Sequence, residues 1–550
     1  MTITGASLTL ELLKRQGISI IAGIPGGANL PLYDSLGQSD LRHVLVRHEQ
    51  AAGFLAQGMA RSTGKAAVCF ATSGPGAVNL LTAVADAKLD SIPIVAITGQ
   101  VASPLIGTDA FQEVDTYGMS IPITKHNFLV RSAAELLDVI PEAFRIALSG
   151  RRGPVLVDIP KDVQQSAIQL DALPPAGVPD SSPEPDGAVL AHMARMIAAA
   201  ERPLFYVGGG VVASGAEEEV RSLSAGCDIP AACTLMALGV MRSDDPLNLG
   251  MLGMHGSLAT NHAIDRSDLL IVLGARFDDR ATGAIASFAP HARVIHIDID
   301  EAEIGKIRAP DVAAACDLKR ALRRLERLLG RMARQGWRAE IEALREKHPP
   351  LRFPDPSHPA NLVRAIAAIM PRSTIVTTDV GQHQMWAAQS WPVEQPRQFL
   401  TSGGLGTMGF GVPAAMGAAL AHPGTPVISL SGDGSLLMNI QELATIAEQG
   451  LNVKICVFNN GCLGLVRQQQ ELFFEKRYVA SRFAARSDFA AIARGFGLRA
   501  CAIPLPHDHE ALAAALRAPG PALLDIEIPG AENVLPMVPP GKGNTQALWE

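Results

Sequence analysis

Residues 427–460, VISLSGDGSLLMNIQELATIAEQGLNVKICVFNN, decide the fold of the chain. The segment begins as a buried strand that ends in Gly432-Asp433-Gly434, and a second strand at 453–458 ends in Asn459-Asn460. Between them an amphipathic helix is predicted to begin near Ser435, with apolar residues at Leu437, Ile440, Leu443, Ala444 and Ile446. Strand, crossover helix and strand form one right-handed unit, so Asp433 and Asn460 are expected at the same carboxyl edge of a parallel sheet.

The chemistry of these strand ends points to a metal-bound phosphate group. An Asp carboxylate and an Asn carbonyl are hard oxygen donors, which suit Mg²⁺ when phosphate completes its shell. Gly432 and Gly434 remove side-chain bulk, which lets a diphosphate approach the amides at the start of the helix. Asp-Gly and Asn-Gly are also ordinary turn dipeptides, but their pairing across one unit favours a metal-diphosphate site.

Length and composition indicate a large α/β enzyme. A chain of 550 residues with 48% hydrophobic and 18% charged residues predicts about three domains. The formal net charge of −7 argues against a nucleic-acid partner. The seven cysteines lack CxxC spacing, and the sequence shows no signal segment or transmembrane run, so we expect a reduced cytoplasmic protein with no membrane partner.

Apolar strands alternate with helices along the chain, which predicts the doubly wound parallel-sheet architecture. The predicted units are an N-terminal domain at 1–170, a central domain at 188–335, a C-terminal domain at 358–530 and a tail at 531–550. The Pro-rich segment 172–187 predicts a linker. A charged helix at 317–337 is expected to lead to a second linker, and the Gly- and Pro-containing tail is expected to form a mobile cover.

The GDG…NN pattern resembles the thiamine diphosphate signature of a decarboxylase and carboligase superfamily. In such enzymes a Glu in an "HE" context, here Glu49 of LVRHEQAAGFLAQGMAR, hydrogen-bonds the aminopyrimidine ring of the cofactor. From charge alone, Glu49 is better explained as a solvated residue or as a cap at a helix N-terminus. The resemblance implies that it shares a proton with that ring and so activates the cofactor.

A narrower resemblance covers essentially the whole chain. The segments SGPGAVNLLTAVADAKLDSIPIVAITGQV, IGTDAFQEVD, GRRGPVLVDIPKDVQ, TSGGLGTMGFGVPAAMGAA and VRQQQELFFEKRY resemble the catalytic subunits of acetohydroxyacid synthases, also called acetolactate synthases. The resemblance implies that pyruvate loses carbon dioxide and that the two-carbon unit is transferred to a second pyruvate or to 2-ketobutyrate. This reaction is the first common step of valine, leucine and isoleucine biosynthesis.

The resemblance also implies three cofactors and their residues. Thiamine diphosphate is expected at Glu49, Gly74, Pro75, Gly76, His383, Gly406, Met408, Gly432, Asp433, Gly434, Ser435, Asn460, Leu463 and Gly464. Mg²⁺ is expected at Asp433, Asn460 and the carbonyl of Cys462. A structural FAD is expected at Arg151, Gly209, Gly210, Gly253, Met254, His255, Gly256, Gly274, Arg276, Asp278, Arg280, Asp298 and Ile299.

Substrate and catalytic roles are implied in the same way. Gln112 and Lys161 join Glu49 as expected catalytic residues, and Phe111, Arg276 and Gln469 are expected at the 2-ketoacid. Family members that favour 2-ketobutyrate carry Trp in the motif VRQW, whereas this chain has Gln469 in VRQQQ. A weaker preference for 2-ketobutyrate is therefore expected, because a flat apolar wall is missing.

Other functions remain open at this point. Gly404, Gly406 and Gly409 form GxGxxG, with Asp433 downstream, which also fits a nicotinamide-dependent dehydrogenase. Pyruvate oxidase, glyoxylate carboligase, the FAD-free catabolic acetolactate synthase and a non-catalytic relative are further alternatives. The resemblance implies a homodimer or homotetramer whose active sites lie between subunits, with a possible small regulatory subunit.

Overall fold

The computed structural model describes residues 2–549, which form three α/β domains and a short tail. The first domain contains β1 (Thr2–Thr4), α1 (Gly5–Arg15), β2 (Ile20–Gly23), α2 (Leu30–Leu36), β3 (Arg42–Leu45), α3 (Glu49–Thr63), β4 (Ala67–Ala71), α4 (Pro75–Leu89), β5 (Ile94–Gln100), α5 (Thr116–Ser120), β6 (His126–Leu129), α6 (Leu136–Leu148), β7 (Val155–Pro160), α7 (Lys161–Gln165) and β8 (Ala167–Gln169). Its six-stranded parallel sheet has the order β3-β2-β4-β5-β7-β6, and β1 pairs separately with β8.

The middle domain has the strand order of a dinucleotide-binding fold. Its elements are α8 (Gly187–Ala199), β9 (Pro203–Val207), α9 (Gly209–Ser214), α10 (Glu217–Cys227), β10 (Ala231–Cys233), β11 (Asn248–Met251), α11 (Leu258–Arg266), β12 (Leu269–Leu273), α12 (Asp279–Thr282), β13 (Arg293–Asp298), β14 (Val312–Ala315), α13 (Leu318–Leu328) and α14 (Gln335–Lys347). The parallel sheet runs β11-β10-β9-β12-β13-β14, so the strand order reverses between β9 and β12. Ligands bind at such a reversal in open α/β sheets.

The third domain repeats the topology of the first. Its elements are α15 (Pro359–Ile369), β15 (Ile375–Thr378), α16 (Gln382–Ser390), β16 (Phe399–Leu400), α17 (Gly411–Ala421), β17 (Val427–Gly432), α18 (Asp433–Leu436), α19 (Glu442–Gln449), β18 (Val453–Asn459), α20 (Gly464–Phe473), α21 (Phe489–Gly495), β19 (Arg499–Ile503), α22 (His509–Arg517) and β20 (Ala522–Glu527). The sheet order β16-β15-β17-β18-β20-β19 corresponds strand for strand to that of the first domain. The doubly wound α/β class predicted from the sequence is confirmed.

Single-turn 3₁₀ helices complete the described secondary structure. They lie at Ser103–Leu105, Ile121–Ile123, Leu235–Ala237, Ile285–Ser287, Glu301–Glu303 and Asn544–Gln546. No helix within residues 2–549 is long and apolar enough to span a membrane. All seven cysteines are free thiols, and only Cys501 is not buried.

The first and third domains share one hydrophobic core. This core joins residues of β4 and α3 to residues of α17, β17 and β18. Helices α3 and α17 approach closely because glycine faces backbone on both sides: a Cβ on Gly58 would stand 2.1 Å from Ala414 O, and one on Gly417 would stand 2.0 Å from Leu55 O. The two domains are therefore packed as one unit within the chain.

The prediction of one continuous helix after Asp433 is wrong, because the structure has two helices there. Helix α18 ends at Leu436, residues 437–441 form a turn, and α19 begins at Glu442. Leu437 and Met438 are exposed in this turn, while the Asn439 side chain donates to Gly409 O at 2.8 Å. The apolar spacing of the segment is typical of a helix, but this contact with a neighbouring loop interrupts it.

The charged helix expected at 317–337 is also interrupted. α13 ends at Leu328 and α14 begins at Gln335. Between them Arg334 is buried, its backbone N–H donates to Asp228, and its guanidinium donates to the carbonyls of Ile197, Ala200 and Cys227. An arginine that satisfies several carbonyls at once fixes the chain in a non-helical conformation here.

The tail was expected to be a mobile cover, but it is packed against both the third domain and the middle domain. Val534, Met537 and Val538 are buried, and Met537 pairs with Leu548. Further along, Asn544 donates to Ala281 O at 2.8 Å. The predicted domain boundaries stay a prediction.

Candidate active site

The ends of β17 and β18 bring Asp433 and Asn460 to one edge of the third sheet. These strands pair in parallel up to Gly432 and Phe458, so both side chains follow directly at the carboxyl edge. Asp433 accepts from the backbone N–H groups of Gly434 and Gly461, at 2.8 and 2.7 Å. Asn460 Oδ1 accepts from Cys462 N at 3.1 Å, which places the Cys462 backbone beside the pair. The geometry predicted from the sequence is present, and the metal assignment stays a prediction.

The donors at this edge fit Mg²⁺. Burial raises the pKa of Asp433 to about 6, against backbone hydrogen bonds that lower it, so a cation nearby would stabilise its charged form. Among the described residues, no cluster of three or more His, Cys, Asp or Glu side chains suits a metal. One carboxylate, one amide and one backbone carbonyl offer only a few oxygen ligands. Mg²⁺ accepts such a site because water and phosphate oxygens complete its coordination shell.

The glycines around Asp433 allow neighbouring side chains to pack closely against the backbone at this edge. A Cβ on Gly432 would stand 2.9 Å from His383 Nδ1, and one on Gly434 would stand 2.6 Å from Leu463 Cδ2. Ser435 Oγ accepts from Gly432 N at 3.1 Å and fixes the turn into α18. A side chain at either glycine would collide with its neighbours, and the amides of Gly432 and Gly434 already donate to Ser435 and Asp433, so their approach to a diphosphate stays a prediction.

His383 has a buried nitrogen without a partner. Its Nε2 makes no hydrogen bond within the described residues, and burial lowers the pKa of the ring to about 3. The imidazole is therefore neutral at physiological pH. An unsatisfied buried donor or acceptor is costly, which fits a polar ligand at this position.

Glu49 is the first residue of α3 and is buried. Asn79 Nδ2 donates to Glu49 Oε2 at 3.0 Å, a contact that sequence reasoning missed because a mid-helix Asn carries no local signal. Gly74, with φ of 55°, and Pro75 begin α4, and a Cβ on Gly76 would stand 3.2 Å from Glu49 Oε1. The Gly74-Pro75-Gly76 turn therefore lies against the carboxylate, and its predicted place beside the pyrimidine of the cofactor stays a prediction.

The loop after β5 carries Phe111 and Gln112. Gln112 has φ of 59°, and its backbone packs against Gly74, where a Cβ would stand 2.7 Å from Gln112 O. Phe111 is 88% exposed. Lys161 is half-buried at the start of α7. Their catalytic and substrate roles stay predictions, and an exposed phenyl ring is a poor substrate contact unless another surface covers it.

A cavity of about 860 Å³ lies between the three domains at the strand reversal of the middle sheet. Its lining includes the predicted residues Arg151, Gly209, Gly210, Met254, His255, Gly274, Arg276, Asp278, Arg280, Asp298, Ile299, Gly406 and Gln469. At its base, Gly210 N donates to Gly274 O at 3.0 Å, which holds the ends of β9 and β12 together. Burial raises the pKa of Asp298, at the end of β13, to about 6. The volume and lining suit a large, extended ligand.

Gly253 and Gly256 are the two predicted FAD residues that do not line this cavity, and Met408, predicted for thiamine diphosphate, does not line it either. Gly253 and Gly256 lie behind it: Gly253 N donates to Asn261 Oδ1 at 2.9 Å, and Gly256 N donates to Gly253 O at 2.9 Å. They shape the turn that presents Met254 and His255. Met408 is half-buried outside the lining, next to Gly409. Their direct contact with a cofactor stays a prediction.

Comparison with known families covers all three domains. Residues 3–119 match the N-terminal TPP binding domain of thiamine pyrophosphate enzymes, residues 190–325 their central domain, and residues 379–526 their C-terminal TPP binding domain. The chain is 53% identical to the acetolactate synthase isozyme 1 large subunit of Escherichia coli K12, over 100% of this chain and 98% of that protein.

The chain belongs to the acetolactate synthase large subunits. It is also 47% identical to the isozyme 2 large subunit of Escherichia coli K12, over 99% of both chains. A probable acetolactate synthase large subunit of Methanocaldococcus jannaschii is 47% identical over 98% of this chain and 94% of its own length. The family resemblance read from the sequence motifs is confirmed.

The dehydrogenase alternative is wrong. The GxGxxG segment lies within the match to the C-terminal TPP binding domain, and it follows a strand of only two residues. The backbone N–H groups of Gly403 and Gly404 donate to Asp90 at 3.0 and 2.7 Å, so the acetolactate synthase fold uses these amides to bind its own first domain. They are engaged within the chain instead of facing a pyrophosphate.

Proposed function

We propose that this protein decarboxylates pyruvate and transfers the two-carbon unit to a second 2-ketoacid, giving 2-acetolactate or 2-aceto-2-hydroxybutyrate. The observation that carries the proposal is the convergence of Asp433 and Asn460 at one sheet edge in an acetolactate synthase fold. Membership in this family favours the reaction over those of pyruvate oxidase and glyoxylate carboligase.

Thiamine diphosphate, when bound, supplies the electron sink that makes loss of carbon dioxide from a 2-ketoacid possible. Asp433, Asn460 and the Cys462 carbonyl would hold Mg²⁺ and through it the diphosphate. Glu49, oriented by Asn79, would hold a proton at the aminopyrimidine ring. The protein's part is to orient and to exclude water, because the carbon chemistry belongs to the cofactor.

FAD would occupy the cavity between the three domains. Arg151 reaches the middle domain through ion pairs with Asp300 at 3.1 Å and Glu303 at 2.7 Å. Asp298 at a strand end is placed as a ribose acceptor would be. The net reaction contains no redox step, so the flavin would be structural. Arg276, whose guanidinium donates to Leu89 O at 2.8 Å, would orient the carboxylate of the acceptor.

The active site would form between two subunits. The first domain exposes Phe111, Leu30 and Val78, and the third domain exposes Met438 and Phe474. Large apolar groups near two incomplete halves of a site are typical of an interface that another subunit covers. A homodimer or homotetramer is therefore proposed, with a small regulatory subunit as a further partner. The free cysteines fit a cytoplasmic location.

The test is a product assay with purified protein, pyruvate, thiamine diphosphate, Mg²⁺ and FAD. Acetolactate and one carbon dioxide per two pyruvates are expected, without consumption of oxygen. Oxygen consumption with acetate or acetyl phosphate as product would instead identify a pyruvate oxidase. Glyoxylate as the preferred substrate would identify a carboligase.

A further inference from the structure

The segment 532–538, named here the C-terminal strap, is held by a fully buried glutamine of α20. Gln468 Oε1 accepts from Val534 N at 2.8 Å, and Gln468 Nε2 donates to Val534 O at 2.9 Å. One side-chain amide therefore replaces a pair of sheet-like backbone hydrogen bonds. Such a two-bond contact fixes both the position and the orientation of the strap.

The same glutamine is connected to the predicted metal site by hydrogen bonds through Gln382. Gln382 Nε2 donates to Gln468 Oε1 at 2.9 Å and to Glu532 O of the strap at 2.8 Å. Gln382 Oε1 accepts from Asn460 Nδ2 at 3.3 Å. A Cβ on Gly464 would stand 2.1 Å from Gln382 Oε1, so only glycine admits this amide beside Asn460. Side-chain orientation at Asn460 thus depends on Gln382, which the strap and Gln468 hold.

The other end of the strap meets the turn that lines the 860 Å³ cavity. His255 Nδ1 lies 2.9 Å from Pro536 O, and Val538 N donates to Met254 O at 3.0 Å. Gln389 Nε2 bridges the two, because it donates to Leu535 O at 3.1 Å and to His255 O at 2.9 Å. The Met254-His255 turn and the strap are therefore joined directly and through Gln389.

We propose that Gln468 is a positioning residue for the metal-diphosphate site, and that the strap it holds couples occupancy of the flavin cavity to binding of Mg²⁺ and thiamine diphosphate. The proposal rests on the proposed function. A ligand that orders the Met254-His255 turn orders the strap, the strap fixes Gln382, and Gln382 fixes Asn460. By thermodynamic reciprocity, Mg²⁺ and thiamine diphosphate tighten flavin binding by the same factor.

The experiment is a calorimetric titration of full-length, cofactor-stripped protein with thiamine diphosphate and Mg²⁺, with and without saturating FAD. Gln468→Met keeps the side-chain length and removes the hydrogen bonds at the metal side. Gln389→Met does the same at the flavin side. Gln470→Met is the matched control, because Gln470 lies on the same helix and bonds to Val479 O and Ser481 instead.

For the wild type, FAD is expected to tighten binding of thiamine diphosphate and Mg²⁺ by roughly fivefold or more. Gln468→Met is expected to weaken that binding about tenfold and to remove the effect of FAD, as loss of an outer-shell partner does at other metal sites. Gln389→Met should retain the flavin-free affinity but lose the FAD effect, and Gln470→Met should retain both.

The proposal is overturned if folded Gln468→Met binds thiamine diphosphate and Mg²⁺ as tightly as the wild type does. It is also overturned if FAD has its full effect in Gln389→Met, or if FAD has no effect in the wild type. If Gln468→Met fails to fold by circular dichroism, Gln389→Met alone decides whether the strap is the link. A wild type that binds no thiamine diphosphate refutes the proposed function itself, and the coupling falls with it.

Discussion

Asn79 donates a 3.0 Å hydrogen bond to one carboxylate oxygen of Glu49, while the other oxygen, Oε1, faces Gly76. Asn79 lies on α4 and Glu49 begins α3, so two helices of one domain fix the carboxylate. The oxygen on the Gly76 side remains available for a cofactor ring. A buried carboxylate with one fixed donor is oriented before any ligand arrives.

The first prediction follows from this geometry. Glu49→Gln keeps the shape and the contact with Asn79 but cannot exchange a proton with the cofactor ring. Carbon dioxide release from pyruvate should fall by ~10²- to 10⁴-fold, the usual contribution of a positioned acid or base. The control is Glu346→Gln, an exposed position on α14. An undiminished rate in folded Glu49→Gln would contradict the role of Glu49.

The second prediction concerns Asp433. Asp433→Asn preserves volume but removes the charge that a divalent cation requires, so the Mg²⁺ concentration for half-maximal activity should rise by about 10-fold or more. Asp244→Asn, at an exposed position of the middle domain, is the matched control. An unchanged Mg²⁺ requirement would exclude Asp433 as a metal ligand.

The sequence predicted the Asp433–Asn460 edge because its elements are local. Each acid or amide follows a buried, mostly apolar strand, and parallel pairing of the two adjacent strands brings their ends together. Family motifs added the cavity residues, such as Arg151 and Asp298, that no local pattern marks. Short strands such as β10 and β16 carried too little pattern to be predicted.

Long-range contacts account for what the sequence did not predict. The break after α18 depends on Asn439 meeting Gly409, and the break before α14 depends on the carbonyls that surround Arg334. Both partners lie far from these breaks in sequence. The pair of hydrogen bonds between Gln468 and Val534 could not be predicted from the sequence either, because a Gln in a polar helix is typical of a solvated residue.

The third prediction concerns pH. Burial raises the pKa of Asp158 to about 7, against hydrogen bonds from Thr98 and Gln100 that lower it. The native state therefore holds a proton that the unfolded chain releases near the ordinary pKa of 3.8, and stability should fall as pH rises between these values. Asp158→Asn should lose this dependence, which is on the order of a few kcal/mol.

The measurement is the thermal midpoint of wild type and Asp158→Asn at pH 5 and pH 8. The midpoint of the wild type should drop relative to the variant at the higher pH. Parallel curves for the two proteins would show that Asp158 does not titrate in this range.

The fourth prediction tests the flavin cavity. Arg151→Met removes the ion pairs to Asp300 and Glu303 that join the first domain to the middle domain. Purified Arg151→Met should carry less FAD than the wild type, measured by flavin absorbance after gel filtration. Arg131→Met, an exposed position of the first domain, is the control. Equal flavin content in both variants and the wild type would show that Arg151 does not contribute to flavin binding.

The fifth prediction concerns the choice of acceptor. Gln469 is exposed at the wall of the cavity that also contains Leu465 and Arg276. Gln469→Trp should supply a flat apolar surface that favours the extra methylene of 2-ketobutyrate. The ratio of acetohydroxybutyrate to acetolactate, measured with both acceptors present, should rise by ~10-fold or more, the usual value of one methylene in a fitted pocket.

Gln469→Ala removes the amide without adding a flat apolar surface and should leave the ratio near that of the wild type. A strong preference for 2-ketobutyrate in the wild type, or no change in Gln469→Trp, would show that another residue sets the acceptor.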